Sequence, residues 1–185
     1  MLKVTPTALP EVLILEPRVL GDTRGFFLES WNRRTFADAT GLDPEFVQDC
    51  HSRSGQNVLR GLHYQLTKPQ GKLVRVTAGR VFDVTVDLRR SSPRLAQWAG
   101  VELSADNHRQ LWIPPGFAHG FVVLSEYADF LYKATDYYAP EDEHTLAWDD
   151  SLVGVQWPLA DMSSSALLSV KDQKGNAWND CVIYD

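Results

Sequence analysis

Cysteine is scarce in this chain. Cys50 and Cys181 are the only two, far apart and without C-x-x-C spacing, so neither a zinc knuckle nor a redox pair is indicated and both read as ordinary thiols. Long apolar runs are missing as well: no stretch approaches the roughly eighteen apolar residues of a membrane span. Met1 to Pro10 lacks the basic and apolar regions of a signal peptide, which makes the cytoplasm the default expectation. Positive charge is in deficit, with 18 Lys+Arg against 24 Asp+Glu and a net charge of −6. That balance disfavours wrapping around nucleic acid or binding an anionic membrane, and an anionic substrate would need a locally basic pocket. Internal repeats, low-complexity tracts and Pro/Gly/Ser-rich linkers are absent too, so the 185 residues read as one domain spanning 1–185 that needs no disulfide or metal to fold.

What is present is strand pattern. Phe82, Val84, Val86 and Leu88 alternate with Asp83, Thr85, Asp87 and Arg89, a period of two that predicts one apolar and one polar face. Lys72 to Thr77 is β-rich, and Ala78-Gly79-Arg80 is short enough for a hairpin. Further candidate strands are Val12 to Leu15, Phe26 to Ser30, Gln97 to Leu103, Gln110 to Ile113, Gly120 to Leu124 and Ala128 to Ala134. Many short strands between turn signals indicate an all-β sandwich or barrel. The best helix candidate runs from Asn32, a suitable N-cap, to Thr40 before Gly41. Ser163-Ser164-Ser165 marks a loop ahead of a C-terminal segment.

Two segments carry histidines in suggestive settings. In Val58-Leu59-Arg60-Gly61-Leu62-His63-Tyr64-Gln65 a cation and a base lie close together, although a lone pair of this kind is more often a surface charge and a core histidine. In Pro114-Pro115-Gly116-Phe117-Ala118-His119 a rigid turn precedes a histidine that opens an apolar strand, and the spacing P-x-G-x-x-H is similar to the second cupin motif. A metal cupin would also present H-x-H and a glutamate from its first motif. Here the matching residues are His63-Tyr64-Gln65, with Lys68, Pro69 and Gln70 after them, and an amide is a poor substitute for imidazole on a first-row metal. The pattern therefore implies a jelly-roll barrel and argues against a catalytic iron or zinc.

Such a barrel can move protons beside a carbonyl without a cofactor. The chemistry needs a base near neutral pKa, a donor for the enolate oxygen and an acid on the opposite face. His63 suits the base, with Asp172 a candidate to orient it; Lys72 can meet the oxyanion and Tyr132 can return the proton. Taken singly, Lys72 also fits a solvated strand end, Tyr132 a core-edge aromatic and Asp172 a turn before Gly175.

Six ordered blocks shift that balance: Gly21 to Ser30, Val58 to Gln65, Pro69 to Arg75, Gln110 to Phe121, Tyr132 to Tyr138 and Leu168 to Asp172. Together they resemble the dTDP-4-dehydrorhamnose 3,5-epimerase family, a cupin-type jelly roll. The resemblance implies that His63 and Asp172 form the basic dyad, that Tyr132 is the acid and that Lys72 stabilises the enolate. It implies substrate contacts at Arg24, Glu29, Gln48, Arg60, His119, Glu143 and Lys171, with Tyr138 stacking on thymine. It also implies a dTDP-keto-sugar substrate, no metal or other cofactor, and a homodimer in which each site is completed by the neighbouring subunit. Arginine forks suit a diphosphate and an aromatic face suits a planar base. Leu20 is a departure, standing where the family often has a phenylalanine near the nucleotide. Three rivals follow: a relative that epimerises a single carbon, a metal-dependent cupin oxygenase with His119 as ligand, and a non-catalytic sugar-binding barrel.

Overall fold

The computed structural model describes residues 2–159 and 166–185; the Ser163–Ser165 loop expected above lies outside them. Along the chain come β1 (Lys3–Pro6), β2 (Leu13–Glu16), β3 (Val19–Asp22), β4 (Gly25–Leu28), α1 (Arg33–Thr40), β5 (Gln48–Gly55), β6 (Leu59–Gln65), β7 (Lys72–Ala78), β8 (Arg80–Asp87), β9 (Trp98–Ser104), β10 (Gln110–Ile113), β11 (Phe117–Val123), β12 (Tyr127–Ala134) and β13 (Glu143–Thr145). Two antiparallel sheets form a cupin-like jelly roll. One has the order β1-β2-β10-β7-β12-β5 and the other β13-β6-β11-β8-β9, while β3 and β4 form a separate two-stranded hairpin.

Alternation along the strands fixes what faces inward. Val74 and Val76 of β7, Leu111 and Ile113 of β10, and Phe130 of β12 share one buried cluster with Val81 of β8 and Phe117 and Phe121 of β11. This apolar core joins the two sheets. The opposite face of the second sheet, including Leu62, Tyr64, Val84 and Val86, is covered by C-terminal residues such as Trp157, Trp178 and Tyr184. On the outside of the first sheet, Leu15, Leu73 and Trp112 pack with Phe36 of α1, where burial of one such aromatic contributes about 1.5–3 kcal/mol. Helix α1 starts and stops as its sequence predicts: the Asn32 side chain accepts from the Thr35 N–H, and Gly41 adopts a left-handed φ of 74°.

Strand β8 alternates as its sequence predicts, and both of its faces are enclosed. Its apolar face is buried, and so is its polar face: Asp83, Thr85 and Asp87 are all fully inaccessible. The polar row shares its side of the sheet with Val81 and points into the barrel, while Val84 and Val86 face the C-terminal layer. Strand β11 begins at Phe117, directly after the Gly116 turn, so His119 sits inside the strand. The expected Phe26–Ser30 strand is β4, which pairs with β3 and adds to neither main sheet. Among the described residues no helix is long and apolar enough to cross a membrane.

Candidate active site

The inward-facing row of each wall ends in polar residues at one end of the barrel. From the second sheet come His63 on β6, His119 on β11 and Asp83 on β8; from the first come Lys72 on β7, Tyr132 on β12 and Cys50 on β5. Register sets their spacing, since His119 pairs with His63 on one side and with Thr85 on the other. Strands β6 and β11 approach closely beside both histidines. A Cβ on Gly61 would lie 2.6 Å from the Gly120 Cα, and one on Gly120 would lie 2.6 Å from the Arg60 carbonyl oxygen. Glycine at both positions is what lets this pair of strands meet.

His63 and Asp172 meet across the fold, with Nε2 2.6 Å from Oδ1. Asp172 lies on a 3₁₀ turn, Asp172–Lys174, and is only 3% exposed. Its Oδ2 accepts from the Ser169 hydroxyl at 2.7 Å and its Oδ1 from the Gly61 N–H at 3.4 Å. Burial pushes this carboxyl upward, but the bonds from His63 and Ser169 and the charge of His63 outweigh it and leave the pKa below the ordinary value. Asp172 is therefore an anion that accepts the Nε2 proton, which leaves the Nδ1 lone pair as the basic position.

The opposite wall supplies the complementary groups. Desolvation holds the Lys72 ammonium below the usual lysine range, partly countered by Glu143 and Asp83, and among the described residues it forms no hydrogen bond or ion pair. An uncommitted cation of this kind is suited to an oxyanion. Tyr132 is pushed well above the usual tyrosine range, first by burial and then by the Cys50 thiol, its direct partner across the β5–β12 ladder. Its phenol keeps its proton at neutral pH, as a general acid must. His63 and Tyr132 thus reach the lumen from opposite sheets, and Phe130 spans the interval by stacking on His119 with centroids 6.0 Å apart.

The remaining expected residues divide into four settings. Glu143, Lys171 and Tyr138 join the dyad: Lys171 Nζ is 2.8 Å from Glu143 Oε1, the Tyr138 hydroxyl is 2.9 Å from Oε2, and His63 Nδ1 is 4.0 Å from Oε1. Arg60 is exposed and donates through Nε to Ser54 Oγ at 3.0 Å. Gln48 accepts from the Tyr138 N–H and donates to the Cys50 sulfur, both at 3.0 Å. Arg24 and Glu29 stand apart. Arg24 pairs with Asp22 at the tip of the β3–β4 hairpin, Glu29 accepts from Asn32 and Thr35 at the start of α1, and no contact links either to the His63 cluster among the described residues.

Asp83 is a site residue that the sequence reading overlooked. Its carboxylate takes the His119 Nε2 at 3.0 and 2.9 Å, and burial raises its pKa despite His119 and Lys72. Its signal was in plain view as one member of the alternating polar face. Ser169, which holds Asp172, carried no comparable signal. Gln65, at the position of a cupin metal ligand, has its amide fully engaged: Nε2 donates to the Lys68 and Tyr137 carbonyls, and Oε1 accepts from the Ala139 N–H. Among the described residues, no group of three or more His, Cys, Asp or Glu side chains is arranged to hold a metal ion.

Known proteins resemble this chain along nearly its whole length. A family model described as dTDP-4-dehydrorhamnose 3,5-epimerase matches residues 6–180. The chain is 59% identical over 179 residues to a dTDP-4-dehydrorhamnose 3,5-epimerase of Pseudomonas aeruginosa, with 97% of each chain covered. It is 58% identical over 173 residues to that of Salmonella typhimurium, with 93% of each covered. Among solved structures it resembles a dTDP-6-deoxy-D-glucose-3,5-epimerase from Legionella pneumophila in complex with dTDP-4-keto-L-rhamnose. That likeness has a TM-score of 0.93 and 49% identity, covering 97% of this chain and 94% of the other.

Proposed function

Because the chain belongs to the dTDP-4-dehydrorhamnose 3,5-epimerase family, we propose that it converts dTDP-4-dehydro-6-deoxy-D-glucose to dTDP-4-dehydro-L-rhamnose by two rounds of proton removal and return beside the keto group. It is an isomerase. In each round His63 Nδ1 takes the proton α to the ketone while Asp172 steadies the imidazolium. The electron pair moves onto the carbonyl oxygen, where Lys72 meets the enolate charge. Tyr132 then protonates the same carbon from the other side, and the configuration inverts. A positioned acid or base contributes on the order of 10²–10⁴ in rate, and one oxyanion donor about 10²–10³.

The observation that carries this reading is the placement of base and acid on opposite sheets. A sugar ring held between β6 and β12 has His63 on one face and Tyr132 on the other, which is the requirement for inversion. A single base that both removed and returned the proton would restore the original configuration.

The nucleotide half of the substrate is assigned to the mouth of the barrel. Arg60 and Lys171 are cations able to neutralise a diphosphate, Tyr138 is half-exposed and offers a face to thymine, and His119, held by Asp83, is available to the sugar. Gln48, fixed by the Tyr138 backbone and Cys50, lines the same wall. Arg24 and Glu29 are assigned to the site of a second copy in a homodimer. Support for that comes from the hairpin, whose Phe26 and Phe27 are 64% and 69% exposed and which, among the described residues, makes no contact with its own dyad. Leu20, beside them on β3, gives the nucleotide an apolar surface in place of an aromatic one.

The test is proton NMR of the purified protein with dTDP-4-dehydro-6-deoxyglucose in deuterated water, with and without a chelator, beside His63→Ala. Deuterium entering both flanking carbons, indifferent to chelator and absent in the variant, is the expected result. Label at one carbon would point to a single-carbon epimerase, loss with chelator to metal chemistry, and no label to a binding barrel.

A further inference from the structure

Two successive epimerisations pose a bookkeeping problem for protons. Each round leaves an extra proton on His63 and one missing from Tyr132, so the site must be reset before the second carbon can react. His63 has no way out through Nε2, which is closed at 2.6 Å by Asp172, itself buried and held on its other oxygen by Ser169. The exit must lie at Nδ1, where Glu143 Oε1 stands 4.0 Å away, a gap that one bridging water or a small ring rotation closes. Glu143 comes from β13, in which Thr145 pairs with His63 and Glu143 with Gln65, so the two side chains are diagonal neighbours on one face. The Glu143 side chain is itself mostly covered at 14% exposure, yet its oxygens are bonded to groups that reach solvent. Lys171, bonded at 2.8 Å, has a 48% exposed side chain, and the Tyr138 hydroxyl is bonded at 2.9 Å by a residue that is 50% exposed.

We propose that Glu143 is the proton outlet of His63, taking the proton gained at Nδ1 and passing it to solvent beside Lys171 and Tyr138. The inference rests on the epimerase reading and deepens it, and it gives Glu143 a task beyond touching the sugar. The balance is simple: the Nδ1–H bond of the imidazolium breaks, an O–H bond forms on Glu143 and then breaks to water, and the Tyr132 phenolate recovers its proton from water. No other reactant is required. Each carboxylate oxygen has two lone pairs, so Oε1 can hold Lys171 and still face His63. Burial alone would raise the Glu143 pKa, but the bonds from Lys171 and Tyr138 and the charge of His63 bring it below the ordinary value. A proton that reaches Glu143 is therefore released and not stored. Glu143 acts on the reacting carbons through His63 and is in that sense a positioning residue.

The experiment is rapid-quench NMR in deuterated water with dTDP-4-dehydro-6-deoxyglucose in excess, comparing the wild type, Glu143→Gln and Glu143→Asp. The wild type is expected to label both carbons in step. In Glu143→Gln the second label and later turnovers should slow by about 10²-fold more than the first label does, the lower range for loss of a positioned acid–base group. A singly epimerised sugar should accumulate, and Glu143→Asp should restore labelling in step. A raised KM with both labels still in step would overturn the proposal and leave a sugar contact. Equal slowing of both labels from the first turnover would overturn it in favour of a role in folding alone. A wild type that labels neither carbon would remove the epimerase reading itself, an outcome separable from the other two.

Discussion

Replacing Asp172 by asparagine removes one charge from the dyad and almost nothing from its shape, and the structure sets the size of the effect. The Asp172 carboxylate is 2.6 Å from His63 Nε2 and nearly inaccessible, and its charge stabilises the imidazolium that forms as the substrate proton leaves. Two unit charges about 4 Å apart interact by about 4 kcal/mol at an effective dielectric of about 20, which corresponds to about 10³ in rate if the imidazolium is fully formed at the transition state. Partial proton transfer lowers the figure towards about 10², whereas an amide that turned its NH₂ towards Nε2 would move the proton onto Nδ1, block the base and raise it towards about 10⁴. The expected result for Asp172→Asn is therefore a fall in kcat of about 10²–10⁴ with KM changed by less than about threefold, measured by the appearance of epimerised product at pH 7. The sign of the acid response follows from the same bond. Because the folded-state pKa of Asp172 lies below the ordinary value, its contribution to stability is complete above the unfolded aspartate pKa of about 3.9 and is lost as pH falls through the lower, folded value. The variant should thus lose stability relative to wild type at neutral pH and progressively less as the pH falls through the folded pKa of Asp172. A kcat within threefold of wild type would refute the assignment of Asp172 to the dyad.

Tyr132→Phe should uncouple exchange from inversion: His63 still removes the proton and deuterium returns on the same face, so recovered substrate gains label while product falls by about 10² or more. Label and product lost together would tell against Tyr132 as the acid. Lys72→Met should slow labelling at both carbons by about 10²–10³ without lowering Tm, because an uncommitted, desolvated ammonium is replaced by an apolar chain of similar length; a clear drop in Tm in a thermal melt would contradict that account. Gly120→Ala should destabilise the protein by about 1–3 kcal/mol, the usual cost of overpacking, since its Cβ would sit 2.6 Å from the Arg60 carbonyl oxygen. Denaturant unfolding checks it, and an unchanged midpoint would show that the β6–β11 contact relaxes freely.

Most of the barrel was legible as short β-rich runs between turn signals. Strands β7, β8, β9, β10, β11 and β12 were each found to within a few residues, β8 by its period-two alternation, whereas β10 and β11 are buried at every position and do not alternate. Strand β5 was missed for a physical reason: Gln48, Cys50, Ser52 and Ser54 face one way and Asp49, His51 and Arg53 the other, so neither row is strongly apolar. It forms because β12 supplies eight consecutive backbone partners, which no local pattern reveals. That the polar row of β8 lies inside the barrel was not legible, since alternation distinguishes two faces without saying which medium lies beyond each. In the site, His63 and Asp172 are 109 residues apart, and Asp172 was no more than a candidate partner until the family resemblance implied the pair. Asp83 was hidden by its ordinary place in an alternating strand. The separation of Arg24 and Glu29 from the dyad depends on the β3–β4 hairpin pairing only with itself, and the short run Gly25 to Leu28 reads the same whether it joins a main sheet or not.

Asp83 and Lys72 connect the fold to the chemistry. Desolvation drives their pKa values in opposite directions, aspartate up and lysine down, so each is held in a less favourable charge state than water would allow and each partly relieves the other. Asp83 is also relieved by His119 through two contacts near 3 Å, but Lys72 has no direct partner among the described residues. A barrel selected for stability alone would fill that position with an apolar side chain, because desolvating an ammonium that Glu143 and Asp83 only partly compensate is unfavourable. The apolar core shared by the two sheets can offset such a cost, at about 1.5–3 kcal/mol for each buried Val, Leu, Ile or Phe. Leaving the ammonium unpaired keeps its full field for a charge that exists only while the substrate is an enolate, which is the condition for stabilising a transition state more than a ground state. Tyr132 is partly buried beside Cys50, and the charge of Glu143 adds a smaller influence that likewise keeps the proton on the phenol. A phenol that must keep its proton until the enolate forms is best surrounded by groups that offer it no base, and Cys50→Asp should accordingly impair reprotonation more than proton removal, seen as labelled substrate accumulating faster than product.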